Sequence, residues 1–285
     1  MEAPEPIGFI GAGALAGFLA DGLLAAGWPP AALWICNRGD DARLLRFAGA
    51  GVHVTRAKAE VCGRAAMLLI LVKPKDAPAT LAELAPLLRP DHLVVSCMAG
   101  IPAAFIEGAL GGRPRVLRAM PNIGSAARAS VTGLAPGRYA DAADVDRAAG
   151  VLQAVGMVAP VQESAMDAFT AVCGSGPAYV FLLMEALAAV AADLGLRGPL
   201  AQRMIVQTVL GAARVAAASE RPPEELRAGV SSRGGTTMAA VEVLEAAGFR
   251  QALGEAVRRA AARSRELGLA WASLPPESGV RGTRP

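Results

Sequence analysis

Histidine is almost missing from this chain. Its 285 residues hold two, His53 and His92, and neither stands among other metal-ligating residues. That scarcity argues against a zinc centre and against a Ser-His-Asp hydrolase triad, because both need imidazole in a defined cluster. The four cysteines, Cys36, Cys62, Cys97 and Cys173, lie far apart without C-x-x-C spacing. They read as reduced, mostly buried thiols of a cytoplasmic protein, and no metal site is expected. Aromatic residues make up 4% of the chain, no Lys/Arg run is interleaved with them, and the net charge is only +3. Nucleic acid is therefore not expected as a partner. The opening MEAPEPIGFIGAG has no basic segment, so a secretory signal is not expected. A long apolar run free of charge is also lacking. The most apolar stretch, PAYVFLLMEALAAVAADLGL at 177–196, carries Glu185 and Asp193, which predicts a helix buried in protein rather than in a membrane.

What the chain has in quantity is hydrophobic residues, 53% of the total, much of it alanine. The length suggests one large or two ordinary domains. In the first half, short apolar runs at 7–10, 33–36, 52–54, 67–72, 93–96 and 116–120 alternate with helical patterns such as 42–50 and 77–88. A further strand pair is expected near VTGLAP and GMVAPV, with a helix over 141–154 between them. This βαβα order predicts an α/β fold: a Rossmann-type, doubly wound parallel sheet over 1–163. From Ser164, which with Asp167 resembles a capping pair, the pattern turns helical: 164–172, 177–194, 199–218, 222–228, 237–247 and 250–266. Pro177 suits a first helical turn and Gly195 a helix end. These helices predict an all-α C-terminal dimerisation domain over 164–272. Nearly every face of 177–194 is apolar, so it must be covered on all sides, and a second subunit is an economical cover. The tail, 273–285, reads as disordered.

IGFIGAGALAGFLADGLLAAG places Gly11, Gly13 and Ala16 as G-x-G-x-x-A between a strand and a helix. Gly11 permits the tight turn, Gly13 admits a pyrophosphate, and Ala16 keeps the helix close to the sheet. The bland alternative is a tight βα turn alone. The next strand ends in Cys36-Asn37-Arg38, where an NAD site usually has an acidic residue. Asn37 and Arg38 suit a 2′-phosphate, so NADPH is expected and NADH more weakly; otherwise Arg38 is a solvated surface side chain. Asp40 and Asp41 look like N-cap residues of the following helix. The ligand crevice of such a sheet lies at its carboxyl edge. There stand Val72, Lys73 and Pro74 of LVKP, Ala99 and Gly100 of SCMAGI, and Asn122 of RAMPN. Asn122 suits the nicotinamide carboxamide, a ribose, or only its own turn.

A second glycine-rich stretch, VSSRGGTTMA at 230–239, precedes an apolar helical run. Glycines, hydroxyls and a helix N-terminus together make an anion cradle. Taken with IGFIGAG, LVKP, SCMAGI, RAMPN, AVCGSGPAYVFLLMEAL, QTVLGAA and EAVRRAAARSREL, the sequence resembles the pyrroline-5-carboxylate reductases over almost its whole length. GSGPAY and GGTT in that order are highly specific. The resemblance implies reduction of the C=N bond of 1-pyrroline-5-carboxylate to L-proline with NAD(P)H. It implies dimers with interlocked helical domains, in some members assembled into decamers. It implies that Ser232, Gly234, Gly235, Thr236 and Thr237 hold the substrate carboxylate, with the catalytic hydroxyl of Thr237 beside the imine nitrogen. Ala14 and Leu15 then stand at the cofactor where the family commonly has Asn-Met, Ile123-Gly124 replace Thr-Pro after RAMPN, and Arg233 replaces the loop proline. Ser175 is not read as a hydrolase nucleophile, for it lacks the G-x-S-x-G frame. Glu185 needs a partner, expected across the dimer interface.

Three other readings share this frame. One is a reductase of a different cyclic imino acid. One is a β-hydroxyacid dehydrogenase, whose lysine and asparagine are not found where GSGPAY stands. The last is a non-catalytic NADPH-binding paralogue.

Overall fold

The computed structural model describes residues 5–39 and 41–272. Contacts divide the chain into two compact units, Met1–Gly174 with Ala260–Pro285, and Ser175–Arg259. The cut falls about ten residues later than the change of pattern at 163/164, and the end of the last helix returns to the first unit.

In the first unit, eight strands form one sheet: β1 (Ile7–Ile10), β2 (Leu33–Cys36), β3 (His53–Thr55), β4 (Met67–Ile70), β5 (Leu93–Ser96), β6 (Arg115–Met120), β7 (Ser130–Pro136) and β8 (Gly156–Pro160). Their order is β3-β2-β1-β4-β5-β6-β7-β8. All pairs are parallel except β6 with β7, where Leu117 faces Pro136 and Met120 faces Gly133. The expected parallel sheet is thus interrupted once. The link between β6 and β7, residues 121–129 with the 3₁₀ helix Ile123–Ala127, is too short for the helical crossover a parallel pair needs.

The sequence forms these strands because apolar residues must point to both faces. Ile7 and Phe9 enter one buried cluster with α1 (Ala14–Ala25), α2 (Asp41–Gly49) and α6 (Ala142–Leu152). Ile10, Leu68 and Ile70 enter the other, with α3 (Lys58–Arg64), α4 (Ala77–Leu84) and α5 (Ala103–Leu110). A parallel sheet covered on both faces reads as an unbroken apolar run rather than an alternation.

Ser164 and Asp167 do not form a cap. No side-chain cap bond opens either the 3₁₀ turn Glu163–Ala165 or α7 (Met166–Phe169). Asp167 instead accepts a hydrogen bond of 2.6 Å from the Ser264 hydroxyl, 97 residues away. Ser264 lies on α12 (Phe249–Ala272), which runs six residues past its expected end. The extension is held by packing: the Trp271 ring lies 5.2 Å from that of Phe105. The tail read as disordered, 273–285, and Asp40 of the expected N-cap lie outside the described residues.

The second unit is helical: α8 (Gly176–Asp193), α9 (Gly198–Ala217), α10 (Pro223–Gly229), α11 (Thr236–Ala246) and the start of α12. Pro177 sits in the first turn of α8 and Gly195 follows its end with φ +91°, as expected. No residue of α8 is buried. Phe181 and Leu182 are 56% and 64% exposed, and Glu185 is exposed with them. The segment Glu163–Asp193 has the length and apolarity to cross a membrane, with none of its apolar window buried. The cover that the sequence demands is thus not supplied by the described residues.

Candidate functional site

At the carboxyl edge of the sheet, β1 runs into α1 through Gly11, Ala12 and Gly13. The Gly11 N–H donates to the Cys36 carbonyl at 2.8 Å, which ties the turn to β2. Its φ is +113°, and a Cβ there would meet the Leu71 carbonyl at 3.0 Å, so only glycine fits. Gly13 is the N-cap of α1, and a Cβ there would meet nothing within 4 Å. No side chain caps the helix and its first turn holds no acidic residue. Open space thus lies against the positive end of a 12-residue helix, which suits a pyrophosphate. Ala16 is fully buried against the sheet, and Leu15 packs partly onto the same cluster. Ala14 is exposed at the helix start.

Beside this turn, β2 ends at the buried Cys36, and Asn37 bonds to β3 through its N–H and the Thr55 carbonyl at 3.2 Å. Arg38 projects outward, 58% exposed, with its Nη1 3.4 Å from Glu83 of α4. Val72 is half-buried and Lys73 exposed, and Lys73 is the N-cap of the 3₁₀ turn that begins at Pro74. Ala99 is exposed, while Gly100, at φ +73°, leaves room for the Leu267 side chain of α12. These segments all belong to the sheet's carboxyl edge.

Asn122 makes two bonds within the fold at the end of β6. Its Oδ1 accepts from the Gly124 N–H at 2.9 Å, and its Nδ2 donates to the Cys173 carbonyl at 2.9 Å. A Cβ on Gly124 would lie 2.7 Å from the Ala129 carbonyl oxygen, so this version of the turn requires glycine where proline is commoner. The neighbouring Ile123 is 53% exposed.

In the second unit, α11 is entered the same way as α1. Gly234 has φ +74°, and Gly235 is the N-cap, with no side-chain cap and no acid in the first turn. The Gly235 N–H donates to the Ser232 carbonyl at 2.9 Å, and a Cβ on Gly235 would collide with the Ser232 hydroxyl at 2.5 Å. Thr236 and Thr237 are the first helical residues, and they are exposed together with Ser232 and Arg233. An open helix end with three hydroxyls and a cation can bind a carboxylate. The sequence missed the network that fixes the first site's turns: Glu83 on Arg38, and Cys173 on Asn122.

Burial keeps the thiols of Cys36 on β2 and Cys62 on α3 protonated. It pushes Cys62 up to about 11 and raises Cys36 as well. Neither is a nucleophile at neutral pH.

A family model described as pyrroline-5-carboxylate reductase dimerisation matches residues 163–267. Another, described as NADP oxidoreductase, coenzyme F420-dependent, matches residues 6–100. A pyrroline-5-carboxylate reductase of Pseudomonas aeruginosa is 40% identical over 268 residues, covering 94% of this chain and 98% of its own. The solved structure of a pyrroline-5-carboxylate reductase from Coxiella burnetii superposes with a TM-score of 0.88 at 38% identity, covering 92% of this chain and 98% of its own. A Plasmodium falciparum pyrroline carboxylate reductase, solved with NADP bound, shares the fold with a TM-score of 0.83 at 23% identity, over 93% of this chain and 99% of its own.

Proposed function

The chain belongs to the pyrroline-5-carboxylate reductase family, and from that membership we propose that it reduces the C=N bond of 1-pyrroline-5-carboxylate to L-proline with NADPH. The observation that carries this reading is the pair of glycine-entered, uncapped helix N-termini, one at Gly13 and one at Gly235. Each suits an anion: the cofactor's pyrophosphate at Gly13 and the substrate's carboxylate at Gly235.

Gly11, Gly13, Ala14 and Leu15 hold the pyrophosphate through main-chain amides at the start of α1. Asn37 and Arg38 take the 2′-phosphate, which favours NADPH over NADH. Val72, Lys73, Pro74, Ala99 and Gly100 wall the nicotinamide half, with Asn122 fixing the turn beside it. When bound, NADPH supplies a hydride from C4 of its nicotinamide. Ser232, Gly234, Gly235, Thr236 and Thr237 fix the substrate carboxylate. A helix end contributes only about 0.3–2 kcal/mol, so hydrogen bonds to the charged group, each about 1.5–3 kcal/mol, supply most of the hold. The Thr237 hydroxyl sits at the imine nitrogen. A protonated cyclic imine already accepts hydride well, so the protein's work is orientation and exclusion of water. This accounts for a site without histidine.

The exposed apolar face of α8 and the dimerisation model over 163–267 support a homodimer in which the partner covers α8 and supplies Glu185 with its neighbour; the higher assembly we propose from such dimers is a decamer. By role, the cofactor domain runs to residue 163 and the substrate and dimerisation domain follows from 164, a division distinct from the compact units, which part at 174/175 and again at 259/260. The free thiols of Cys36, Cys62, Cys97 and Cys173 suit the cytoplasm. The test is initial-rate NADPH oxidation with five- and six-membered cyclic imino acids. The reading requires turnover with the five-membered ring. Turnover confined to the six-membered ring assigns a different imino acid, and none with either assigns a non-catalytic role.

A further inference from the structure

At the outer end of β2, a single carboxylate holds two cations. Glu83 pairs through Oε1 with Arg38 Nη1 at 3.4 Å, and through Oε2 with Lys58 Nζ. Arg56 stands beside them, donating from Nη1 to the Arg38 carbonyl at 3.0 Å. The two halves of the Glu83 bridge differ in kind. Arg38 and Glu83 are about half exposed, at 58% and 48%, and such a pair holds weakly. The Lys58 side chain is only 8% exposed, and taking its partner away leaves a buried, uncompensated ammonium. An incoming anion therefore draws Arg38 off, while Glu83 stays on Lys58. The hydrogen bond from Lys58, and the charges of Lys58 and Arg38, hold the Glu83 carboxyl below its ordinary range, so it is ionised at neutral pH.

We propose that Glu83 is a specificity-determining residue: a carboxylate of this chain that competes with the 2′-phosphate of NADPH for Arg38 and so narrows the preference over NADH. This rests on Asn37 and Arg38 being the seat of the 2′-phosphate. A phosphate seated on Arg38 lies close to the carboxylate that Lys58 retains. Repulsion between a phosphate charge of about −2 and the carboxylate charge of −1, largely offset by the Lys58 ammonium that the carboxylate keeps and screened by solvent at these half-exposed groups, weakens binding by about three- to tenfold at low salt. The ribose hydroxyl of NADH carries no charge and escapes it.

The experiment is direct titration of NADPH and NADH into wild type, Glu83→Gln and Arg38→Ala. Glutamine keeps the helix propensity of α4 and leaves Lys58 an acceptor, and Glu83→Ala is carried in parallel in case the amide distorts the site; Tm is read for all. The expected result is NADPH binding tightened about three- to tenfold in Glu83→Gln, with no tightening of NADH. The gain should shrink as salt is raised toward 1 M, where the Debye length is about 3 Å. Unchanged or weaker NADPH binding in both folded Glu83 variants overturns the proposal, as does equal tightening of both cofactors. Arg38→Ala separates the two levels. If it weakens both cofactors equally, the seat of the 2′-phosphate is elsewhere and the underlying reading fails. If it weakens NADPH alone while the Glu83 variants gain nothing, only the role of Glu83 fails.

Discussion

The side-chain amide of Asn122 donates to the main-chain carbonyl of Cys173 at 2.9 Å across 51 residues of sequence. It joins the end of β6 to the π-helical turn Thr170–Gly174, while its Oδ1 holds the Gly124 N–H. Each end of the amide holds a main-chain group, and each keeps one further bonding position. Asn122→Ala should therefore lower unfolding free energy by about 1–3 kcal/mol, read by urea titration, with NADPH affinity of the folded variant changed less than stability. Unchanged stability with lost cofactor binding would make Asn122 a direct cofactor ligand instead.

His92 gives the stability a dependence on pH. Its Nδ1 accepts from the Arg89 N–H at 2.8 Å and its Nε2 lies 2.9 Å from the Cys62 carbonyl, an arrangement that needs the neutral ring. Burial lowers its pKa below the ordinary 6.5. A lowered folded value means that the unfolded chain takes up the proton first as pH falls. The contribution is complete above about pH 6.5 and is lost as pH drops from there toward the folded pKa. Urea unfolding at pH 7.5 and 5.5 should show this loss in wild type and a smaller one in His92→Gln. An equal loss in both would assign the acid sensitivity to other groups.

Much of this architecture is written in the sequence because burial leaves a local mark. β1, β2 and β5 begin and end at the expected residues, since each is a four-residue apolar run bounded by turn residues. The G-x-G-x-x-A turn was equally legible, because Gly11 alone fits its backbone. Strand direction leaves no mark in the strand itself: nothing in VTGLAP distinguishes an antiparallel β7 from a parallel one, and only the short link before it carried a signal. Partners distant in sequence are invisible too. Asp167 looks like a capping residue until Ser264 takes it, and Arg38 looks unpaired until α4 brings Glu83 to it. The extra length of α12 had a faint signal in Trp271, an aromatic that needs a surface to pack on.

The apolar face of α8 makes assembly measurable. Wild type should sediment as a dimer or a multiple of one at micromolar concentration. Leu182→Glu, placed on a side chain 64% exposed in the single chain, should shift the distribution toward monomer, because an ionised carboxylate would have to be buried unpaired. A folded, monomeric wild type would contradict the dimer.

Thr237→Val keeps the shape at the start of α11 and deletes one hydroxyl. If that hydroxyl serves the imine nitrogen or the carboxylate, kcat/KM for 1-pyrroline-5-carboxylate falls by about 1–3 kcal/mol, or about 5- to 150-fold. On the proposed reading NADPH affinity holds, because its pyrophosphate is seated at Gly11 and Gly13 and its 2′-phosphate at Asn37 and Arg38. Arg233→Pro, in the same exposed loop, raises KM if Arg233 binds substrate and leaves it level or lower if the arginine is solvated. Wild-type kcat/KM in Thr237→Val would reduce the loop to a helix cap.

The central claim is hydride transfer from NADPH to a cyclic imine, and isotope transfer reads it directly. The enzyme is mixed with 1-pyrroline-5-carboxylate and NADPH carrying deuterium at the transferred position on C4 of its nicotinamide, and the product is analysed by mass spectrometry and NMR. The account predicts L-proline with one deuterium on the δ-carbon, formed in step with NADPH consumption. Proline without deuterium, or NADPH left intact beside unreacted imine, would contradict it.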